Sequence, residues 1–511
     1  MCGFIFVEQS SEKIKYEKFQ TELMRQKWRG PDSQHTLILN DGRYILGHNR
    51  LSIIDTTNRA NQPMVSKNGR YVIVYNGEIY NHLEIRRKLE LCCNTNSDTE
   101  TVLEGYAQVG EKIFELIDGM FALVILDKIL NRWVAARDAF GIKPLFIGDC
   151  LRTRTKVISS ESVTVANLIN AKPCSLALRE WKMIRNPIPG KSYFQDVNEI
   201  LPGTIVRSDG TSICYWTMTP SEQPFSQEEF EELLQRSVVQ HEMSDVKNVS
   251  LLSGGLDSAI ITALSTVSQS YCVGMDDNNE FMGAKESAAV LGRKINTVSV
   301  SHADIKKTWQ NLAILRGEPL SVPNEAMIYT ICRTMRFDEK VVLTGEGADE
   351  LLFGYDNIYR WAVLNSWRGV DEFLKKYCYA EKLELTDRLM DYIETLRNGK
   401  TLINFVEDFF YKFHLPCLLR RMDFASMAAS KEARVPFVNK QIVNYLYRRP
   451  FEIKINHAES KIPLRKIAKK MGLDGALERK KIGFSAQAKT GVSRFEEYSE
   501  FQSIILEALK W

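Results

Sequence analysis

The chain has 511 residues, 44% hydrophobic and 26% charged, an ordinary globular mixture long enough for two large domains or three smaller ones. Its 67 Lys and Arg against 64 Asp and Glu leave a net charge of +3, a near-balance that gives no global reason to bind nucleic acid or an anionic membrane. The ten cysteines fit neither a disulfide framework nor a zinc pattern. There is no apolar stretch of about 18 residues and no basic-then-apolar leader, so the expectation is a cytoplasmic protein with reduced thiols.

Residues 1–80 contain β-rich runs at Phe4–Val7, Thr36–Leu39, Tyr44–Leu46 and Tyr71–Tyr75, punctuated by Asp41-Gly42 and Asn68-Gly69. Helices are predicted over about 82–90 and, after Ser97-Asp98, over about 99–109; apolar runs at Met120–Leu126 and Trp133–Ala136 again read as strands. This pattern predicts an α/β sandwich with largely antiparallel sheets. Pro187, Pro189-Gly190, Pro202-Gly203, Asp209-Gly210, Pro220 and Pro224 predict hairpins ending in a linker. From Ser226 onward the order becomes helix (226–243), strand (Val249–Leu252), helix, strand (Tyr271–Val273), with a further strand at Val341–Leu343. Strands alternating with helices imply a parallel sheet with ligands at the strands' carboxyl ends. Beyond about residue 356 the sequence reads as mostly helical.

Ser253-Gly254-Gly255-Leu256-Asp257-Ser258 is the strongest signal: it follows an apolar strand and precedes the helical run Ala259–Leu264. Two glycines let backbone amides approach an anion, and a helix N-terminus adds positive potential. It lacks the Gly-Lys-Ser/Thr ending of a P-loop. The string resembles the pyrophosphate loop of the N-type ATP pyrophosphatases, and among these the chain is most similar, over nearly its whole length, to the asparagine synthetase family.

At the other end stands Met1-Cys2-Gly3. With Met1 removed, Cys2 offers a thiol nucleophile and its own α-amine, which titrates near pH 8, as base. The chain also resembles class II glutamine amidotransferases at Arg29–Asp32, His48–Asp55, Gln62–Met64, Asn76–Asn81, Ser97–Glu100 and Arg137–Leu145. That resemblance implies that Arg50 binds the glutamine carboxylate, with Leu51 and Ile53 beside it. It implies that Glu78 and Asp98 take the ammonium, and that Asn76 and the Gly77 amide form the oxyanion hole. Trp28 stands where the family usually has His, which predicts an altered loop and not loss of glutaminase activity.

A second turn, Thr344-Gly345-Glu346-Gly347-Ala348-Asp349-Glu350, places acids around glycines at the end of a strand, which suits Mg²⁺ or a substrate ammonium. It resembles the family's Gly-Glu-Gly-(Ser/Ala)-Asp-Glu segment. The resemblance implies that Leu251, Val273, Thr344 and Gly345 hold adenosine by backbone groups. It assigns the phosphates to Ser253, Gly254, Gly255, Leu256, Asp257 and Ser258, the metal to Asp257 and Asp349, and the acceptor to Glu346 and Asp349. Further matches are Met422–Met427, Glu432–Phe437, Lys461 with Leu464-Arg465, and Arg479–Phe484, where Lys481 aligns with a lysine that meets phosphates and intermediate. The family's acceptor pattern is departed from at Pro323-Asn324-Glu325, at the single glycine of Phe353-Gly354-Tyr355, and at Asn439.

The expected fold is therefore α/β: an Ntn-hydrolase-like αββα sandwich over residues 1–216, then, over 217–511, a parallel-sheet ATP pyrophosphatase (adenine nucleotide alpha hydrolase-like) domain with a helical C-terminal part. The expected function is glutamine-hydrolysing, ATP-dependent amide synthesis through an acyl-adenylate. Aspartate is the default acceptor; the alternative is another carboxylate, amide or sugar derivative in cell-surface polysaccharide or natural-product pathways. ATP is a co-substrate with Mg²⁺, ammonia crosses between the sites through an apolar interior, and a homodimer is compatible with the resemblance.

Overall fold

The structure is a computed structural model that describes residues 2–10, 13–150, 152–378, 380, 382–479 and 494–511. Two six-stranded sheets form its N-terminal part. In the first, Cys2–Glu8 lies between Tyr44–Arg50 and Thr155–Ser159; in the second, Gly119–Asp127 lies between Tyr71–Ile79 and Arg132–Arg137, all antiparallel. Side chains alternate along these strands. Phe4, Phe6, Val72 and Val74 fill the layer between the sheets, while Ile5 and Val7 join another apolar cluster and Ile73 and Tyr75 a third. Both faces of each central strand are therefore buried, which explains runs such as Phe4–Val7 that are apolar without alternation. Helices Tyr16–Arg25 and Ser162–Ile169 contribute to one outer layer and Asp98–Val109 to the other.

The third sheet is parallel, in the order Lys294–Val300, Gln269–Met275, Lys247–Leu251, Glu339–Leu343, Glu432–Arg434. The last of these strands interrupts the mostly helical stretch expected there: three buried residues, Glu432, Ala433 and Arg434, pair with Val341, Val342 and Leu343. So short a run carries no usable periodicity in sequence. Strands Phe146–Cys150 and Thr155–Ser159 also escape sequence reading, because the hairpin between them has no strong turn signal. Among the described residues no helix is long and apolar enough to cross a membrane.

The two parts share their cores. One cluster runs from Val165, Trp181 and Tyr193 of the first part to Trp309, Leu320 and Phe424 of the second. Polar groups lock the same seam. Asp423, on helix Leu415–Met427, accepts from Arg29 Nη2 at 2.7 Å and from Lys143 Nζ at 3.1 Å. Arg29 is fully buried and also pairs with Glu161 at 2.7 Å. Burial alone would raise the Asp423 carboxyl, but Arg29 and Lys143 outweigh it and hold the group below its ordinary value. Breaking such a pair strands buried charge. Asp423→Asn should therefore lower the unfolding free energy by about 3 kcal/mol, measured by urea denaturation at neutral pH.

Candidate active sites

The first site forms where the Cys2–Glu8 strand begins. Antiparallel register sets Cys2 opposite Arg50, and Cys2 is buried. Its backbone N–H donates to Asn76 Oδ1 at 2.9 Å, and its carbonyl accepts from Arg29 Nε at 3.0 Å. Burial pushes the thiol up; the Leu51 N–H and the Arg50 guanidinium oppose this. Arg50 is oriented by neutral acceptors, Thr57 O at 2.8 Å and Asn61 Oδ1 at 2.9 Å, together with the carbonyls of Ile54 and Asp55. A guanidinium held this way has no carboxylate hydrogen-bonded to it and suits one from a ligand.

Asn76, Gly77 and Glu78 follow one another on Tyr71–Ile79. Asn76 Nδ2 is buried and has no partner among the described residues, a donor that suits an incoming oxygen. Gly77 is required by close approach: a Cβ there would sit 2.3 Å from Met120 O. Glu78 Oε1 is also buried and unpartnered, while Oε2 accepts from Arg434 Nη2 at 3.0 Å. Burial and then Asp98 push the Glu78 carboxyl up, and Arg434 opposes them. Asp98 opens its helix and is fixed by Tyr75 Oη at 2.5 Å and by Ile79 N at 3.0 Å. The structure thus gathers Cys2, Arg50, Asn76, Gly77, Glu78 and Asp98 around the edges of two facing sheets. Leu51 and Ile53 differ: their side chains pack with Val341 and Met427, leaving only backbone groups for a ligand. Trp28, in the tight turn Lys27–Arg29, docks edge-on against Phe424 with ring centroids 5.4 Å apart.

The second site is a cleft of about 260 Å³ at the carboxyl ends of the parallel strands. Leu251, Ser253, Gly255, Asp257, Ser258, Val273, Thr344, Gly345, Glu346 and Asp349 all line it. Gly254 and Leu256 do not: the Gly254 carbonyl accepts from Arg479 at 3.4 Å, and Leu256 packs into the apolar interior. The first turn is held by its own serines, with Ser258 Oγ donating to Gly255 O at 3.2 Å and Gly255 N donating to Ser253 Oγ at 3.1 Å. Gly345 lets the second turn lie against it, because a Cβ there would be 2.8 Å from Ser258 N.

Lys461 is the residue the sequence undervalued. Its φ is +56°, an uncommon left-handed conformation for a non-glycine residue, at the N-cap of helix Ile462–Lys470. This geometry sends its Nζ between two carboxylates, 2.6 Å from Asp257 Oδ2 and 2.5 Å from Asp349 Oδ1. Gly354 makes room: a Cβ there would lie 2.2 Å from Lys461 Cε. Lys481 lies outside the described residues. Asp257 and Asp349 reach one common cation, a donor set that fits Mg²⁺ held jointly by carboxylates and substrate phosphates.

Of Pro323-Asn324-Glu325 only Asn324 lines the cleft. Glu325 is turned inward, capping Ser321 N at 2.5 Å and pairing with Arg316 at 3.3 Å, and Pro323 O accepts from Trp309 Nε1 at 2.7 Å. Arg421, which sequence reasoning missed, enters the cleft from helix Leu415–Met427, donating to Asn324 Oδ1 at 3.3 Å and pairing with Glu346. Asn439 caps the helix Lys440–Leu446 through Gln441 N and donates to Asp118 Oδ2 at 3.2 Å, tying the two parts together.

Between the two sites runs an apolar cluster. It joins Met120, Phe140 and Ile142 of the N-terminal part to Leu252, Leu343, Leu419 and Val435 near the cleft.

A sandwich bearing a cysteine at its first strand, fused to a parallel sheet with a glycine-built turn at its cleft, is the architecture of an α/β amidotransferase–ligase with two candidate sites. A model of the glutamine amidotransferase domain matches residues 1–217, and one of asparagine synthase matches residues 229–509. Similar proteins include "Asparagine synthetase [glutamine-hydrolyzing] 1" of Bacillus subtilis (strain 168), 28% identical over 95% of this chain and 87% of its own length. "Asparagine synthetase [glutamine-hydrolyzing] 3" of the same organism is 27% identical over 94% of this chain and 86% of its own. "Asparagine synthetase [glutamine-hydrolyzing]" of Asparagus officinalis is 28% identical, over 87% of this chain and 69% of its own. The chain belongs to the asparagine synthase family.

Glu350, behind the cleft, yields a pH prediction. Burial, then Asp349 and Glu346, push its carboxyl from 4.5 up to about 8. Between those values the folded chain holds a proton that the unfolded chain has released, so folding stability falls as pH rises. The contribution is on the order of 1 kcal/mol per pH unit. Glu350→Gln should remove that part of the slope, seen as a smaller drop in urea midpoint between pH 5 and pH 8.

Proposed function

We propose that residues 1–216 release ammonia from glutamine and that residues 217–511 use ATP to activate a carboxylate which that ammonia attacks. The observation that carries this reading is the pairing of two built sites with an apolar cluster between them.

With Met1 removed, the nitrogen that now donates to Asn76 Oδ1 becomes an α-amine able to take the thiol proton. Sγ attacks the glutamine side-chain amide. Arg50 holds the carboxylate, Glu78 and Asp98 hold the ammonium, and Asn76 Nδ2 with the Gly77 amide receives the developing oxyanion. Ammonia departs, and water cleaves the thioester to glutamate. Ammonia in bulk water would be protonated at neutral pH and lost as a nucleophile, so the route along Met120, Ile142, Leu252 and Val435 keeps it reactive.

In the cleft the acceptor carboxylate oxygen attacks the α-phosphorus of ATP and pyrophosphate leaves, giving an acyl-adenylate. Ammonia adds to the carbonyl, a proton is lost, and AMP departs with the carboxyl oxygen. Backbone groups of Leu251, Val273, Thr344 and Gly345 hold adenosine, and the Ser253–Ser258 turn holds the phosphates. Lys461 offsets charge on the departing pyrophosphate, as Lys481 is expected to do. When bound, Mg²⁺ would sit on Asp257 and Asp349 and neutralise phosphate charge. Arg421 beside Glu346 and Asn324 offers a cation and an anion within one pocket. That combination suits the carboxylate and ammonium of an amino acid and favours aspartate as acceptor.

The test supplies glutamine, ATP and Mg²⁺ with a panel of carboxylate and sugar acceptors, following glutamate, AMP and the amidated product; aspartate should give asparagine. Formation of AMP with no member of the panel would count against the synthetase assignment. Cys2→Ala should lower glutamine-dependent product by at least about 10³-fold while retaining product formation from ammonium salts. Lys461→Met should lower AMP formation from either nitrogen source by about 10²-fold, with glutamine hydrolysis measured alongside.

A further inference from the structure

Behind the cleft lies a chain of buried polar side chains that the proposed chemistry does not use. Helix Leu402–Phe409 passes into Leu415–Met427 through a π-helical turn, Phe410–His414. Pro416 follows one residue past it; proline cannot donate to a helical carbonyl, and its ring crowds the preceding turn, so the widened turn has a local cause. Such turns are frequent at functional sites. This one turns His414 inward, where it is 5% exposed.

Both ring nitrogens of His414 are engaged by phenols. Nδ1 lies 2.7 Å from Tyr377 Oη and Nε2 lies 3.1 Å from Tyr355 Oη. Tyr355 in turn donates to Glu350 Oε1 at 2.5 Å. Tyr355 donates to Glu350 Oε1, which leaves a proton on Glu350 to Oε2, and the other roles follow from that donation. The Tyr355 proton is committed to Glu350, so Tyr355 Oη accepts from His414 Nε2–H. Nδ1 is then the bare nitrogen and accepts from Tyr377 O–H. Phe410 packs on the imidazole at 4.8 Å between centroids, and the Arg185 guanidinium stands 4.6 Å over the Tyr377 ring. Of the three residues in direct sequence with this imidazole, Tyr355 alone lines the cleft, alongside Asp349, Glu346 and Arg421.

We propose that His414 is a positioning residue of the synthetase site: by donating to Tyr355 and accepting from Tyr377, it fixes the Tyr355 phenol as a hydrogen-bond acceptor toward the cleft. The inference rests on the synthetase reading of that cleft. The ligand chemistry it serves is an N–H donor, either the incoming ammonia or the ammonium of an amino-acid acceptor, bound at an oxygen whose own proton points away. The charged and titratable groups facing this chain are Arg185, Cys378 and Cys417 on the Tyr377 side, Arg421 from the same helix as Pro416, and Asp349 and Glu346 beside Glu350. Burial, then Arg185 and Arg421, keep the imidazole neutral, as the two-phenol arrangement requires.

The experiment measures ammonium-dependent AMP formation against pH and acceptor concentration for wild type, His414→Phe, His414→Gln and Tyr377→Phe, with glutamine hydrolysis as a control for folding. Wild type failing to form AMP would sink the synthetase reading itself. With wild type active, His414→Phe should lower kcat/KM for the ammonium-dependent reaction by about tenfold, alter its pH profile and leave glutaminase activity unchanged. Tyr377→Phe, which removes a group remote from the cleft, should alter the profile in the same direction with a smaller loss. His414→Gln, able to donate and accept, should recover part of the activity. A His414→Phe enzyme with wild-type kcat/KM and pH profile would overturn the proposal. So would parallel loss of both activities in His414→Phe with no change of profile in Tyr377→Phe.

Discussion

Asp423 holds two cations that both come from the opposite part of the chain. Arg29 and Lys143 have no exposure to water, and neither could stay buried without a carboxylate close by. The consequence reaches the chemistry directly, since the Arg29 that pairs with Asp423 also donates to the Cys2 carbonyl. The backbone of Cys2, the proposed nucleophile, is therefore positioned by a residue anchored in the other half of the molecule. Asn439 on Asp118 and Arg434 on Glu78 repeat the arrangement elsewhere along the seam.

Arg434 shows how the two sites are physically adjacent. Its guanidinium holds Glu78, on the strand that carries Asn76 and Gly77, while its carbonyl accepts from Thr344 N at 3.0 Å, within the turn that lines the cleft of the second candidate site. A three-residue strand thus touches both chemistries. It also completes the parallel sheet, so its place is fixed by main-chain pairing and not by side-chain contacts alone.

Much of this was readable in the residues. The Ser253–Ser258 turn stands out because glycine, hydroxyl and helix start coincide after an apolar strand, and the structure puts four of its six residues on the cleft wall. Cys2, Arg50, Asn76, Gly77, Glu78 and Asp98 were legible through motif resemblance, and antiparallel register converts their distant sequence positions into one neighbourhood. What escaped was long-range. Lys461 carries no local signal beyond a short match, because its importance comes from a left-handed backbone that aims it at the carboxylate of Asp257, 204 residues away, and at that of Asp349. Arg421 reads as one of two adjacent arginines in a helix, and only the fold separates them: Arg420 pairs with Glu318 in the interior, while Arg421 faces the cleft. Glu325 looked like part of an altered acceptor pocket, yet it stabilises the loop that presents Asn324.

The apolar clusters that span the seam carry a further implication for how the molecule holds its shape. Trp181 donates its indole N–H to the Leu320 carbonyl, and Phe424 meets Trp28 edge to face and lies beneath Arg316. Neither half, severed from the other, would present a finished exterior; each would expose oily surface and stranded charge at the cut. Each half therefore leans on the other for part of its covering, and loosening one uncovers the other.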